Sequence, residues 1–511
     1  MGTEVLYRTR RGLGYLVVLA AFAAVARLPQ LLSPNLLLDG DECIVGLMGV
    51  HVLRGHEFPL FMYGQQYGLA IVEAPLAAVS FALFGVGAVP LKLAILALWI
   101  AGVLLYFRAF ARVLGDTRSF WITLLLALMP AWAAASMKAW SGYVTAFTAM
   151  AVAIDLMTAG ADPRARRWLA AGIATGVMFL AQPLWLPGLA PIILYLMWTR
   201  GTRSRVAYAA GAAGAIALLA IVRAYLTTGV DASWSGPAPG NTHLLASLLP
   251  LFRQAYVSLT GSFYLGNAVP PGPIAAAAAW FWILALGVLT LAQIYRLATR
   301  RYLPWSHVLF ASVFLTLTVN WMLLEARDAR YMLPLAMPLG YLAGVELFDL
   351  ADRRIAPGRG CIAALAIAAA VHAAAVREFG SHTFMWWTNA GSSRSEAATL
   401  RRVVDTMRER GVRRAYAMNP LLQWTITFYS NETVIARWKA ARDRYPPYIE
   451  AVDAALAAGE PIAIVGYTGY TYGLERQVAD PAAIADVDGK YFVYVGADRA
   501  LLERAGFRLT R

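Results

Sequence analysis

Apolar residues along this chain gather in long uninterrupted runs, and the polar positions fall between them in short clusters. The first run, 12–32, is about 20 residues of mostly Leu, Val and Ala, enough for a helix to cross a hydrocarbon core of ~30 Å. It follows Arg8, Arg10 and Arg11 and ends on acidic residues rather than on a small-residue cleavage site. That is the pattern of a retained first helix with its N-terminus in the cytoplasm. Comparable runs at 91–110, 120–136, 143–158, 168–181, 184–198, 206–225, 274–295, 305–324, 331–348 and 361–376 bring the expected count to about eleven transmembrane helices. Every second loop is basic, from Arg108, Arg112 and Arg118 to Arg353, Arg354 and Arg359. The positive-inside rule puts those loops in the cytoplasm and the loop 34–90 outside.

After residue 376 the pattern changes. A charged helical period covers 393–410, a short strand 414–418, and a helical stretch 448–458 lies among apolar runs at 433–436, 461–466 and 491–496. The expected architecture is a polytopic α-helical membrane domain, 1–376, followed by a small extracytoplasmic α/β domain, 377–511. Two outer loops stand out. One is 34–90; the other, 227–273, is rich in Gly, Pro and Ser around an apolar piece and can form a movable flap.

Composition sharpens this picture. The 511 residues are 59% hydrophobic and 14% charged, with a mean hydropathy of +0.56, too apolar for a soluble globular chain. The net charge of +14 sits in the short clusters that set membrane orientation, so nucleic acid is not an expected partner, whereas membrane lipids are. Cys43 and Cys361 fall near opposite faces of the membrane in this topology and are not expected to pair.

Candidate chemistry begins directly after the first span, in Asp39-Gly40-Asp41-Glu42. One helix cap would account for one acid, not for three, and carboxylates beside a bilayer are costly to keep without a catalytic or metal-binding use. The same loop carries Tyr63, Gln65 and Gln66, aromatic and amide groups suited to stacking on and hydrogen-bonding a sugar. Glu73 stands alone among Ile71, Val72, Ala74 and Leu76 and requires a partner or a cation. Further outer-face candidates are Lys138, Arg327 and Arg330 for an anion, with His243 available as a metal ligand.

A first outer loop opening on Asp-Glu, amphipathic helices within it, about a dozen spans and an outer C-terminal domain resemble the GT-C superfamily of integral-membrane glycosyltransferases. The likeness is to the branch of the protein O-mannosyltransferases, the lipid A aminoarabinose transferase and the rhizobial lipopolysaccharide sugar transferases. Arg327-Asp328-Ala329-Arg330-Tyr331-Met332-Leu333-Pro334 is similar to the Arg-Tyr-x-x-Pro signature of that branch. The resemblance covers about the first 350 residues and implies a polyprenyl-phosphate sugar donor. It places Asp41, with Asp39 and Glu42 beside it, at the catalytic position. It also likens Glu73-Ala74-Pro75 to a Glu-Lys-Pro whose glutamate helps bind a divalent metal; here Ala74 replaces the lysine.

The expected function is therefore inverting transfer of a sugar from a polyprenyl phosphate to a glycan, lipid or protein acceptor on the outer face of the plasma (inner) membrane. Asp41 would act as base, while Lys138, Arg327 and Arg330, with Tyr331, would hold the departing phosphate. No organic cofactor is implied. A lipid-linked oligosaccharide ligase is the alternative. A transporter or flippase fits less well, since it would gather polar residues at the midplane in repeated halves, and no repeat is visible.

Overall fold

The computed structural model describes residues 2–33, 36, 38–65, 68–140, 142–159, 165–226, 243, 245–261, 263–264, 267–268, 271–323, 329–353, 357–379, 396–440, 443–471, 473–478 and 480–509. These residues divide into two compact units. One contains 2–33, 93–226 and 243–379; the other contains 36–92 and 396–509.

The first unit is helical. Among the described residues, seven helices are long and apolar enough to cross a membrane: Gly12–Leu31, Ala88–Leu114, Thr202–Val222, Pro273–Ala298, Pro304–Met322, Ala329–Asp352 and Gly358–Glu378. The other four expected spans are helices too, but shorter: Asp116–Leu128, Tyr143–Thr158, Ala165–Ala181 and Leu186–Trp198. The expected count of about eleven is thus not reached on length.

One break has a local cause. Pro130 has no N–H to give and disfavours helical backbone in the residue before it, and Met129 accordingly leaves the helix at φ −59°, ψ 129°. The run expected at 120–136 therefore stops at Leu128 and resumes as the single turn Trp132–Ala135. Arg27, fully buried, donates to the carbonyls of Ala127 and Trp132 at 2.6 and 3.2 Å and to Ser136 Oγ at 3.2 Å. Carbonyls orphaned by a break at membrane depth need such a donor. The guanidinium also lies 4.5 Å from the ring centroid of Trp99, over its face. Near the other end of this unit, Arg296 bridges Glu346 and Asp349, both at 2.6 Å, tying Pro273–Ala298 to Ala336–Asp352.

The second unit joins the loop 36–92 to the C-terminal residues. Its sheet has the order Ile435–Arg437, Arg414–Ala417, Ile462–Tyr467, Tyr491–Val495, Ile484–Val487. The first three strands pair in parallel and the last two antiparallel. Parallel neighbours need crossover connections, supplied here by the helices Leu422–Tyr429 and Pro446–Ala457. Apolar cores lie on both faces of the sheet. One includes Val403, Met407 and Ile426, the other Tyr416, Val452 and Phe507. The loop contributes the helices Gly40–Leu53 and Glu73–Phe84, which pack together, and Leu422–Tyr429 packs on Gly40–Leu53.

Candidate active site

The three acids after the first span receive three different placements. Asp39 is the N-cap of Gly40–Leu53: its Oδ1 accepts the Glu42 N–H at 2.9 Å, and Glu42 Oε2 accepts the Asp39 N–H at 3.3 Å, a reciprocal capping box. Glu42 is fully buried and its other oxygen is paired with the equally buried Lys92. Asp41 differs. Its side chain is 19% exposed, and its Oδ1 faces Nη1 of Arg444 at 3.2 Å. Helix geometry explains the division, because successive residues at the start of a helix point about 100° apart. Two of these acids therefore turn inward and the one between them turns outward.

Ten residues further along the same helix, buried His51 organises a second polar cluster. Its Nδ1 meets Tyr63 Oη at 2.6 Å and Glu57 Oε1 at 3.1 Å, and its Nε2 meets Glu432 Oε1 at 2.9 Å and Tyr448 Oη at 3.2 Å. Tyr63 also donates to Glu57, and Arg54 pairs with Glu432. Burial by itself would lower the His51 imidazole, but hydrogen bonds and charge from Glu432 and Glu57 outweigh it and raise its pKa to about 9. The imidazolium is thus a clamp between the loop 36–92 and the sheet domain. Tyr63, expected at a sugar, has its hydroxyl in this clamp, and its ring stacks on Tyr445 with centroids 4.6 Å apart.

Of the remaining loop candidates, Gln65 is half-buried in a tight turn, its N–H on Met62 O at 3.0 Å. Glu73 is fully buried in the first turn of its helix. Gln66 lies outside the described residues.

In the helical unit, Lys138, Arg330 and Tyr331 come together around one indole. Lys138 Nζ is 4.9 Å from the centre of Trp140, and the Arg330 guanidinium is 5.8 Å from Trp140, 5.9 Å from Tyr143 and 5.3 Å from Tyr331. Two cations drawn to one aromatic platform make a site for an anionic group. Gly142 fixes its floor. With φ at +108°, and with a Cβ there running into the Ala181 carbonyl, that position admits only glycine. Arg27 steadies the approach through Ser136, two residues before Lys138. Arg327 lies outside the described residues.

The residues expected at a metal are Glu73 and His243. Glu73 and His243 belong to different units, His243 is exposed, and among the described residues no three His, Cys, Asp or Glu side chains converge on one point. No chemical step below is routed through a metal.

Arg444, Lys92 and Trp140 carry no signal in their local sequence. Arg444 pairs with a residue 403 positions away, Lys92 with one 50 away, and Trp140 reads as one more interfacial aromatic.

A helical unit and a small sheet domain that includes the loop opening on Asp-Glu make up a fold shared with two solved proteins, ArnT and AglB. The crystal structure of ArnT from Cupriavidus metallidurans bound to undecaprenyl phosphate aligns over 96% of this chain and 99% of its own, with a TM-score of 0.63 at 15% identity. The apo state of the same protein aligns over 96% and 98%, with a TM-score of 0.64 at 15% identity. The archaeal oligosaccharyltransferase AglB from Archaeoglobus fulgidus, in complex with an inhibitory peptide and a dolichol-phosphate, aligns over 93% of this chain and 71% of its own, with a TM-score of 0.50 at 12% identity. Comparison with protein-family models gives no match, and comparison with curated proteins gives none.

Proposed function

We propose that the chain is an inverting glycosyltransferase that takes a sugar from a polyprenyl-phosphate donor and passes it to an acceptor on the extracytoplasmic face of the plasma membrane. The observation that carries this reading is Asp41, the one of the three clustered acids whose carboxylate is neither spent as a cap nor buried against a lysine. Support comes from the shared fold, since the ArnT and AglB structures hold undecaprenyl phosphate and dolichol-phosphate respectively. The alternating basic loops favour a cytoplasmic N-terminus, with Asp41 and the sheet domain outside.

In this reading the acceptor hydroxyl attacks the anomeric carbon from the face opposite the phosphate. Asp41 takes the hydroxyl proton as the C–O bond forms, and the bond to the phosphate oxygen breaks with its electron pair leaving on polyprenyl phosphate. General-base help of this kind is worth roughly 100-fold to 10,000-fold. Within the helical unit, Lys138 and Arg330 gathered on Trp140 are suited to hold a phosphate group. Asp39 and Glu42 serve Asp41 by fixing the start of its helix.

The test is release of free undecaprenyl phosphate by purified protein supplied with undecaprenyl-phosphate-linked mannose, glucose, galactose and aminoarabinose together with candidate acceptors. Release from one donor, lost in Asp41→Asn, is the expected result; an active Asp41→Asn variant would sink the assignment. A parallel arm with a chelator decides whether a divalent metal takes part. The likeness to AglB, an oligosaccharyltransferase, keeps one second reading, transfer of a preassembled glycan from a lipid pyrophosphate, and a pyrophosphate product would identify it.

A further inference from the structure

Arg444 is fixed in front of Asp41 by contacts on several sides. Gly64, at φ +67°, passes beneath its stem, and a Cβ at that position would stand 2.6 Å from both Cα and Cβ of Arg444. Met62 Sδ lies 3.9 Å from Nη1, and Asp443 accepts the Arg444 N–H at 2.6 Å. The next residue, Tyr445, stacks on Tyr63, and Tyr448 is bonded to His51 and Glu432. His51 shares a helix with Asp41, so the segment carrying Arg444 is fastened to the same rigid element as the carboxylate it faces. At 20% exposure Arg444 is about as accessible as its partner, which places the pair at a surface rather than in a core.

Acids lie on Asp41's own helix and on the elements packed against it. Its own helix brings Asp39 and Glu42, the latter offset by Lys92. The elements packed on that helix bring Glu73, Asp443, and Glu432, which is shared by His51 and Arg54. A carboxylate among other acids holds its proton to higher pH unless a cation stands against it.

We propose that Arg444 is a positioning residue that orients Asp41 and keeps it ionised, so that the sheet domain supplies part of the active site. This rests on the reading of Asp41 as the base. The ion pair holds Asp41 Oδ1 at 3.2 Å from the guanidinium and so sets the plane of the carboxylate.

The experiment is the pH profile of undecaprenyl phosphate release between pH 5 and 9 by the full-length parent, Arg444→Gln, Arg444→Lys and Asp41→Asn, using whichever of the four donors the parent accepts. In Arg444→Gln the acid limb of kcat/KM moves up by about one pH unit, costing roughly tenfold at the acid end and less on the plateau, and Lys restores the limb. Should Gln prevent folding, Arg444→Met keeps the stem against Gly64 and Met62 and removes the charge. An unmoved acid limb overturns the inference, as does a uniform loss at every pH with a raised KM for the donor, which would put Arg444 on the donor phosphate instead. In both of those cases Asp41→Asn remains inactive and the transferase reading stands. A parent that releases nothing from any donor removes that reading and this inference with it.

Discussion

Asp39, Asp41 and Glu42 are near neighbours in the chain, yet their substitution is expected to fail in three different ways. Asp39→Ala removes a cap and half of a capping box, and chemical denaturation should record a loss of about 1 kcal/mol. Glu42→Ala leaves Lys92 buried without its carboxylate, a loss of about 3–5 kcal/mol in the same measurement. Asp41→Asn keeps the unfolding transition in place while sugar transfer disappears. The acid cluster was legible from composition and position alone. Its division of labour was not, because that depends on where the helix starts and on Lys92 and Arg444, partners that no local window contains. His51 makes the same point. One histidine in a helical period reads as an ordinary polar residue, and Glu432 and Tyr448 reach it only through the tertiary fold. Its raised pKa has a testable consequence. The stability that the clamp contributes is fully present below the unfolded value of about 6.5 and is lost as pH rises through about 9. The unfolding temperature should fall over that window in the parent, and the fall should be shallower in His51→Gln.

At the level of elements, a helix lies in every expected span, and in the C-terminal region the strand expected at 414–418 and the apolar runs at 433–436, 461–466 and 491–496 fall on the strands Arg414–Ala417, Ile435–Arg437, Ile462–Tyr467 and Tyr491–Val495. Apolar periodicity missed Leu422–Tyr429, an eight-residue helix buried along most of its length, in which Gln423, Thr425 and Thr427 alternate with apolar residues at the period of a strand. Hydropathy counting also ran across Pro130, since an average over a window does not register one absent N–H. The loop that follows that break is the more instructive element. Lys138, Trp140 and Tyr143 are brought to one place beside Gly142, whose backbone is left-handed. Gly142→Ala is expected to combine left-handed strain with a collision against the Ala181 carbonyl, costing more than the ~1 kcal/mol of an ordinary helix-end change. Thermal unfolding should fall, and binding of undecaprenyl phosphate should weaken along with it.

For the molecule as a whole, the grouping of residues 36–92 with 396–509 is the feature least visible in the sequence, since composition sorts the chain by segment and this unit is assembled from two segments far apart. The joint is tight where it can be inspected. A Cβ on Gly40 would press on Leu421, one on Gly46 would enter the Phe428 ring, and the Leu38 N–H donates to Tyr429 Oη at 3.2 Å. Cys43 lies inside it, fully buried, and burial together with Asp39 and Glu42 pushes its thiol well above the ordinary value. A chain ended after residue 382 should therefore expose Cys43. Maleimide labelling in a Cys361→Ser background is expected to be slow in the full chain and fast in the truncated one, and equal rates would contradict the joint.

The 403-residue separation of Asp41 and Arg444 is also an interval of time. At ribosomal rates of about 5–20 residues per second, the outer loop waits on the order of 20–80 s for the strands and helices it packs against. For Arg444 to meet Asp41, the spans made in between must bring the chain back to the face of the bilayer on which Asp41 lies, which takes an even number of crossings. Completion of the acidic centre thus doubles as a report that the whole polypeptide has been threaded.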